Sequence, residues 1–355
     1  MPLRVLLTGA NGFIAQHILA QFLEAGHSVR AVVRSEPALN KLRKSFASHP
    51  ASRLDFALVP DITTPGAFDT ALVSDPPFDA VLHTASPFNF RAGNSNLDFI
   101  EPAVSGTTEI LHGILRKAAS SVKRVVVTSS MAAVIDPGSA PPISSPPKIY
   151  TEKDWFNISR HEAETTQNPV LPYVASKTFA EKAAWEFLEE KQPGFELVTI
   201  NPPMVYGPVY DASVFKSPQE LGQSNFNLYN AFFNSELTSE SPVPPEQLHL
   251  YVDVRDVARA HLLAATKPSA GGNRFVVSPG GISNQKIANL FREAVPQLAG
   301  RIPKGDPSKT ELAPGLFGVD SSLAASVLGL EFTKEEKTFS DVARQFVDME
   351  QRAEA

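Results

Sequence analysis

Two side chains four residues apart, in Tyr173-Val174-Ala175-Ser176-Lys177, form a pair suited to acid–base chemistry. On a helix that spacing turns the phenol and the ammonium to the same side. A cation beside a phenol favours the phenolate and draws the tyrosine pKa below its free value of about 10, which makes the group usable near neutral pH. The helix does not need either residue for packing, because Ala180, Ala183, Ala184, Phe187 and Leu188 already supply an apolar face. A second candidate is Thr128-Ser129-Ser130-Met131, which closes an apolar run. Ligands of open α/β sheets sit beyond the carboxyl ends of the strands, and a serine there can hydrogen-bond a carbonyl oxygen and the charge that develops on it.

Near the N-terminus, Thr8-Gly9-Ala10-Asn11-Gly12-Phe13-Ile14-Ala15 follows a strand pattern and opens a helical one. Gly9 permits the tight turn, Gly12 lets a dinucleotide pyrophosphate approach the backbone, and Ala15 lets helix pack on strand, while the free amides of the helix start face the phosphates. At the end of the second strand, where an acidic residue would bond an adenosine ribose hydroxyl, the chain has Val33-Arg34-Ser35. A guanidinium at that place suits a 2′-phosphate and hence NADP(H). Lys41 and Arg43, in the next helix, could add charge.

These residues need a frame that brings strand ends and helix starts together. Apolar runs at Leu3–Thr8, Val29–Arg34, Leu54–Val59, Ala80–Thr84, Arg124–Ser130 and Leu197–Asn201 alternate with helical patterns near Gly12–Ala25, Pro37–Phe46, Ala67–Leu72, Leu97–Ala119 and Tyr173–Lys191. Such alternation predicts βαβ units. Right-handed crossovers between them make an α/β fold with a doubly wound parallel sheet of the Rossmann type. Residues 1–201 therefore read as the NADP-binding domain, joined by parts of 248–280. Residues 202–355, with prolines clustered at Pro202, Pro203, Pro208, Pro242, Pro244 and Pro245, read as a smaller and mainly substrate-binding region. Within it, Val254–Ala265 and Asn284–Ala294, the latter capped by Ser283, are expected to be helices, with Arg274–Ser278 a strand.

Composition removes several function classes. The net charge of −6 offers no basic field for nucleic acid or anionic lipid. The absence of cysteine excludes disulfides, thiolate nucleophiles and thiolate-bound metals, and no metal site is expected. No window approaches the ~20 uninterrupted apolar residues of a membrane helix. Met1-Pro2-Leu3-Arg4 runs straight into a strand without a leader pattern, so a cytoplasmic protein is expected.

Across nearly its whole length, and most specifically at Gly9–Ile18, Val81–Phe88, Arg124–Val134, Phe179–Glu190 and Tyr251–Leu262, the sequence resembles the extended short-chain dehydrogenases/reductases. Within that family it is most similar to fungal NADPH-dependent methylglyoxal and ketone reductases, with dihydroflavonol and cinnamoyl-CoA reductases as more distant kin. The resemblance implies reduction of a small ketone or aldehyde by hydride from NADPH, with Ser130, Tyr173 and Lys177 as the catalytic triad. Ser130 is preferred to Ser129 because the family's serine is the second of the pair. Cofactor contacts are implied for Gly9, Asn11, Gly12, Phe13, Ile14, Arg34, Asp61, Ile62, Thr84, Ala85, Thr128, Pro202 and Val205. Phe88, Met131, Val170, Met204 and Tyr206 match substrate-pocket positions, and their apolar character suits aliphatic or aryl ketones better than sugars. Ala38 stands where close relatives carry a second basic residue, which leaves NADP selectivity to Arg34. Two other readings stay open at this level: an NAD-dependent nucleotide-sugar epimerase or dehydratase on the same fold, and a non-catalytic NADP(H)-binding regulator. A monomer or a homodimer is expected.

Overall fold

A computed structural model describes residues 1–86, 96–136, 146–215, 217–246 and 248–354. β1 (Arg4–Thr8) leads into α1 (Phe13–Glu24), β2 (Ser28–Val33) into α2 (Glu36–Ser45), and β3 (Leu54–Leu58) and β4 (Ala80–His83) into α3 (Leu97–Lys117). β5 (Arg124–Thr128), the two-residue β6 (Ile149–Tyr150) and α4 (Arg160–Thr165) precede α5 (Leu171–Lys191) and β7 (Glu196–Asn201). The remainder holds β8 (Met204–Tyr206), α6 (Gln223–Phe232), β9 (Leu250–Asp253), α7 (Val254–Thr266), β10 (Arg274–Val276), β11 (Gly280–Gly281), α8 (Asn284–Ala294), β12 (Gly318–Val319) and α9 (Glu335–Glu354).

Seven of these strands form one parallel sheet in the order β10-β7-β5-β4-β1-β2-β3. The doubly wound sheet expected from the sequence is present. Its central strands are apolar on both faces because helices cover both. Val5, Leu7, Ala31, Leu82, Val126 and Ile200 face one core, shared with α1, α2 and α7. Their neighbours Leu6, Val32, Val81, Val125 and Val127 face the other, under α3 and α5. Chain direction across the sheet reverses between β1 and β4, which opens a crevice at their carboxyl ends. The catalytic and nucleotide candidates converge on that edge.

The smaller C-terminal region has its own core. Phe232, Phe233, Phe291, Phe339 and Phe346, from α6, α8 and α9, are fully buried together, with ring pairs at edge-to-face angles and centroid separations of 5.1–5.9 Å. A second sheet, β11-β9-β8, carries the chain from the main sheet into this region.

Local expectations fared unevenly. Ser283 caps α8, its hydroxyl accepting from Lys286 N at 3.1 Å. The helix expected over Ala67–Leu72 is instead a run of turns, in which Ala67 N bonds Thr64 O and Asp69 N bonds Gly66 O. Gly66, at φ +82°, keeps the chain out of the helical basin just before that segment. β5 stops at Thr128, two residues earlier than expected, because Ser130 turns the chain into a 3₁₀ turn over Met131–Ala133 and caps it.

Candidate active site

The turn between β1 and α1 has the form needed to hold a phosphate bridge. Gly9 sits at φ +66°, and a Cβ there would come within 2.8 Å of the Ala85 backbone and 3.1 Å of Thr84 Oγ1. Thr84 Oγ1 donates to Thr8 O at 2.6 Å, and Ala85 N donates to Thr8 Oγ1 at 3.2 Å, so β1 and β4 end as one clasped edge. Gly12 precedes α1 in extended conformation; no side chain caps the helix and no acidic residue stands in its first turn. Its amides are left for an anion. Asn11 is exposed, while Phe13 and Ile14 are half-buried.

Arg34, at the end of β2, is exposed, and no carboxylate among the described residues forms an ion pair with it. It is available to a 2′-phosphate. Lys41 does not turn to it; its Nζ lies 3.4 Å from Glu220 Oε2, from the C-terminal region, and Arg43 lies over the Phe56 ring. Asp61 Oδ1 accepts from Thr63 N and Oγ1 at 2.9 and 2.7 Å, which holds the Asp61 carboxyl below its usual range and shapes the loop after β3. Ile62 beside it packs on the α3–α5 side of the sheet.

At the other end of the crevice, the Ser130 hydroxyl stands near enough to the Tyr173 phenol to favour its ionised form. Ser129 is not free for that role, because its hydroxyl donates to the buried Glu181 carboxylate. Lys177 Nζ is 5.9 Å from the Tyr173 ring centre and donates to Ser86 Oγ at 3.2 Å. Burial lowers the Lys177 ammonium to about 8. Burial also raises the Tyr173 phenol above its ordinary value, with the Ser130 hydroxyl opposing. This reverses the direction expected from Tyr-x-x-x-Lys spacing: desolvation of the phenol dominates, and the ammonium is turned to Ser86. A phenol held protonated is a proton donor.

The surrounding residues divide. Thr128 Oγ1 is bonded to His261 Nε2 at 2.7 Å on the α7 side of the sheet, so only the backbone of Thr128 remains at the crevice. Pro202 and Val205 are buried, and Pro202 O accepts from Met131 N at 2.9 Å. Met204 and Tyr206 are half-buried, the latter with its phenol pushed up to about 12 by burial. Val170 is 57% exposed at the foot of α5. Met131 was expected to line a substrate pocket, but it is 3% exposed and packed among Val134, Tyr150, Leu250 and Val276. The 3₁₀ turn that begins at Met131 rotates its side chain into the core. Phe88 lies outside the described residues.

Three residues of this site were not anticipated. Ser86 receives Lys177, Glu181 receives Ser129, and His83, on β4, bonds Thr8 Oγ1 through Nδ1 at 2.9 Å. Burial, with Lys177 nearby, drives His83 down to about 3, so it is neutral. A histidine ending an otherwise apolar strand, Ala80-Val81-Leu82-His83, was the available signal.

The profile of the NAD dependent epimerase/dehydratase family matches residues 5–278. The ketoreductase azaE of Aspergillus niger is 37% identical over 329 residues, covering 93% of each chain. The NADPH-dependent methylglyoxal reductase GRE2 of Saccharomyces cerevisiae is 37% identical over 353 residues, covering 98% of this chain and 99% of its own. The crystal structure of yeast methylglyoxal/isovaleraldehyde reductase Gre2 complexed with NADPH superposes with a TM-score of 0.88 at 36% identity, covering 99% of this chain and 100% of that one.

Proposed function

The chain belongs to the NAD dependent epimerase/dehydratase family, among its extended short-chain dehydrogenases/reductases, and on that premise we propose that Ser130, Tyr173 and Lys177 are the groups with which it reduces ketones and aldehydes to alcohols using NADPH. The observation that carries this assignment is the juxtaposition of Ser130 and Tyr173, with Lys177 on the same helix face, at the carboxyl edge of the sheet. The protein is an NADPH-dependent carbonyl reductase acting on small molecules.

The described residues fit the cofactor: a glycine cradle that a Cβ would fill, an uncapped helix start and an unpaired guanidinium. Gly9, Asn11, Gly12, Phe13 and Ile14 would hold the pyrophosphate end and Arg34 the 2′-phosphate, with Asp61 and Ile62 near the adenine. Thr84, Ala85, Pro202, Val205 and the Thr128 backbone would flank the nicotinamide half. When bound, NADPH supplies the hydride. Ser130 Oγ–H then orients the carbonyl oxygen, and Tyr173 gives that oxygen its proton, assistance typically worth ~10²–10⁴-fold. Lys177 contributes positive charge beside the phenol and donors for the cofactor ribose. Residues 1–201 with α7 and β10 mainly serve the cofactor; Met204, Tyr206 and the rest of the C-terminal region, joined by Phe88 and Val170 from the first part of the chain, serve the carbonyl substrate.

Among the described residues no helix is long and apolar enough to cross a membrane. We assign the protein to the cytoplasm as a monomer or a homodimer, which fractionation and sedimentation would check. The function itself is tested by following NADPH absorbance with a panel of aliphatic and aryl ketones and aldehydes, together with chiral analysis of the alcohols. Binding of NADPH without consumption across the panel would leave a regulator instead of an enzyme.

A further inference from the structure

Glu181 is one turn beyond Lys177 on α5 and fully buried, and donors from three strands meet on its carboxylate. Ser129 Oγ at the end of β5 and Asn201 Nδ2 on β7, the latter at 2.7 Å, donate to Oε2. Thr199 Oγ1 on β7, at 2.9 Å, and Arg274 Nε on β10, at 2.6 Å, donate to Oε1. One side chain thus ties the helix carrying Tyr173 and Lys177 to three adjacent strands. Asn201 Nδ2 also donates to Ser130 O at 3.2 Å, and Ser129 N is held by Ile200 O at 2.8 Å. The peptide unit that follows Ser130 is therefore held by Asn201 of this cluster, and the one that precedes Ser129 by the β7 backbone. Arg274 neutralises Glu181 and extends the tie: its Nη1 donates to Glu152 O and Asp154 O at 2.6 and 2.8 Å, and its guanidinium lies 3.5 Å over the Trp155 ring.

A buried ion pair is weak evidence for stability, since the cost of desolvating two charges offsets their attraction. The ion pair itself joins α5 to β10; the Ser129 and Asn201 bonds on the same carboxylate reach the end of β5, whose separation from α5 sets the Ser130–Tyr173 juxtaposition. We propose that Glu181 is a positioning residue for carbonyl reduction: through Ser129 and Asn201 it holds Ser130 Oγ in register with the Tyr173 phenol. Fixed first partners of this kind matter because a displacement of about 1 Å can lower a rate by roughly a hundredfold. The proposal rests on Ser130 and Tyr173 being the catalytic pair, and the test separates the two statements.

Five forms would be compared: Glu181→Gln, Ser129→Ala, Ser129→Thr, Ser130→Ala and the unaltered chain. For each, melting temperature, NADPH affinity by fluorescence, kcat and KM for one ketone, and the pH profile of kcat are measured. Ser129→Ala removes one donor to Glu181 and leaves the buried ion pair intact, so it stays informative if Glu181→Gln does not fold. The expected result for Ser129→Ala is a kcat lowered by about tenfold to a hundredfold, with KM and NADPH affinity within about twofold of the unaltered chain and a shifted pH profile. Ser129→Thr, which retains the hydroxyl, restores most of kcat. If Ser129→Ala lowers only the melting temperature, with kcat and its pH profile unchanged while Ser130→Ala is inactive, Glu181 is structural and the proposal is overturned. If Ser130→Ala is itself fully active, the catalytic assignment fails first and takes the proposal with it.

Discussion

Gly9 and Ala85 meet backbone to backbone across the ends of β1 and β4, closely enough that a Cβ on Gly9 would come within 2.8 Å of Ala85 Cα and N. The contact is between main chains, so no rotamer change can relieve it, and φ +66° adds strain for any L side chain. Gly9→Ala is expected to lower NADPH affinity at least tenfold and to lower the melting temperature. Gly12→Ala, whose Cβ would meet Gly9 O at the milder 3.1 Å, should be less severe in both. Fluorescence titration and thermal melts check the order; equal effects would mean that the turn yields more easily than its geometry indicates.

Tyr173→Phe removes the phenolic proton and keeps the ring. Turnover is expected to fall by ~10²–10⁴-fold with NADPH binding retained. A variant keeping more than about a tenth of wild-type turnover would exclude Tyr173 as the acid.

The pH dependence follows from Lys177, lowered by burial to about 8. Below that value the ammonium persists; above it the group is neutral and its charge beside Tyr173 is gone. With the phenol raised and therefore protonated at neutral pH, kcat/KM for reduction should be level up to about pH 8 and decline beyond it. Lys177→Arg keeps the charge at every accessible pH and should carry the decline to higher pH. Lys177→Ala should weaken NADPH binding and abolish the break near 8. A wild-type profile level through pH 10 would separate Lys177 from the reaction. The same shift bears on stability. A lysine whose folded pKa lies below its unfolded value releases its proton first in the native state, so its contribution becomes more favourable as pH rises from about 8 toward the unfolded value.

Arg34 is the exposed cation at the end of β2, without the help that Lys41 could have given, since Lys41 faces Glu220. One charge-assisted hydrogen bond contributes roughly 1.5–3 kcal/mol, a preference on the order of ten- to a hundredfold for NADPH over NADH. Solvent exposure puts the expected value in the lower half of that range and makes it decline with added salt. Arg34→Asp should raise KM for NADPH sharply and leave NADH unaffected or improved. An unaltered ratio of the two specificity constants would remove Arg34 from the 2′-phosphate.

Met131→Ala should act on the fold more than on substrate choice, because the side chain is 3% exposed in an apolar cluster. Truncating a buried methionine costs about 2–5 kcal/mol. The ratio of kcat/KM for a short and a bulky ketone should stay within about threefold of wild type, since a pocket methylene would change it by ~1–3 kcal/mol. A selective change in that ratio would return Met131 to the substrate.

What could be read from residues alone was what repeats or what is local. Strands buried on both faces are continuous apolar runs, so β1, β2, β4, β5 and β7 stood out, and the Gly9–Gly12 turn and the Tyr173–Lys177 pair each lie within a few neighbouring residues. Less legible was whatever depends on residues brought together from afar. Glu181 in sequence is one more helical carboxylate, and becomes buried only when Ser129, Thr199, Asn201 and Arg274 close on it. The inward turn of Met131 depends on the Pro202 carbonyl holding its amide. Lys177 and Tyr173 are neighbours by spacing and in the fold, but the burial that governs both their protonation states has no local signal.

The outermost strand on one side of the large sheet, β10, is translated long after its neighbour β7, with β8, α6, β9 and α7 intervening. A growing chain that has just exposed Asn201 to solvent has every other strand of that sheet, yet β7 still has a bare edge, and the α1 side still lacks Val254, Val257, Ala258 and Phe275 from its core. Unpaired edges and uncovered apolar faces are what nascent chains aggregate through. Residues 1–201 are therefore expected to stay incompletely covered until residues 254–276 have been synthesised, and a gene truncated between these two points should yield insoluble product instead of a small independent binding module.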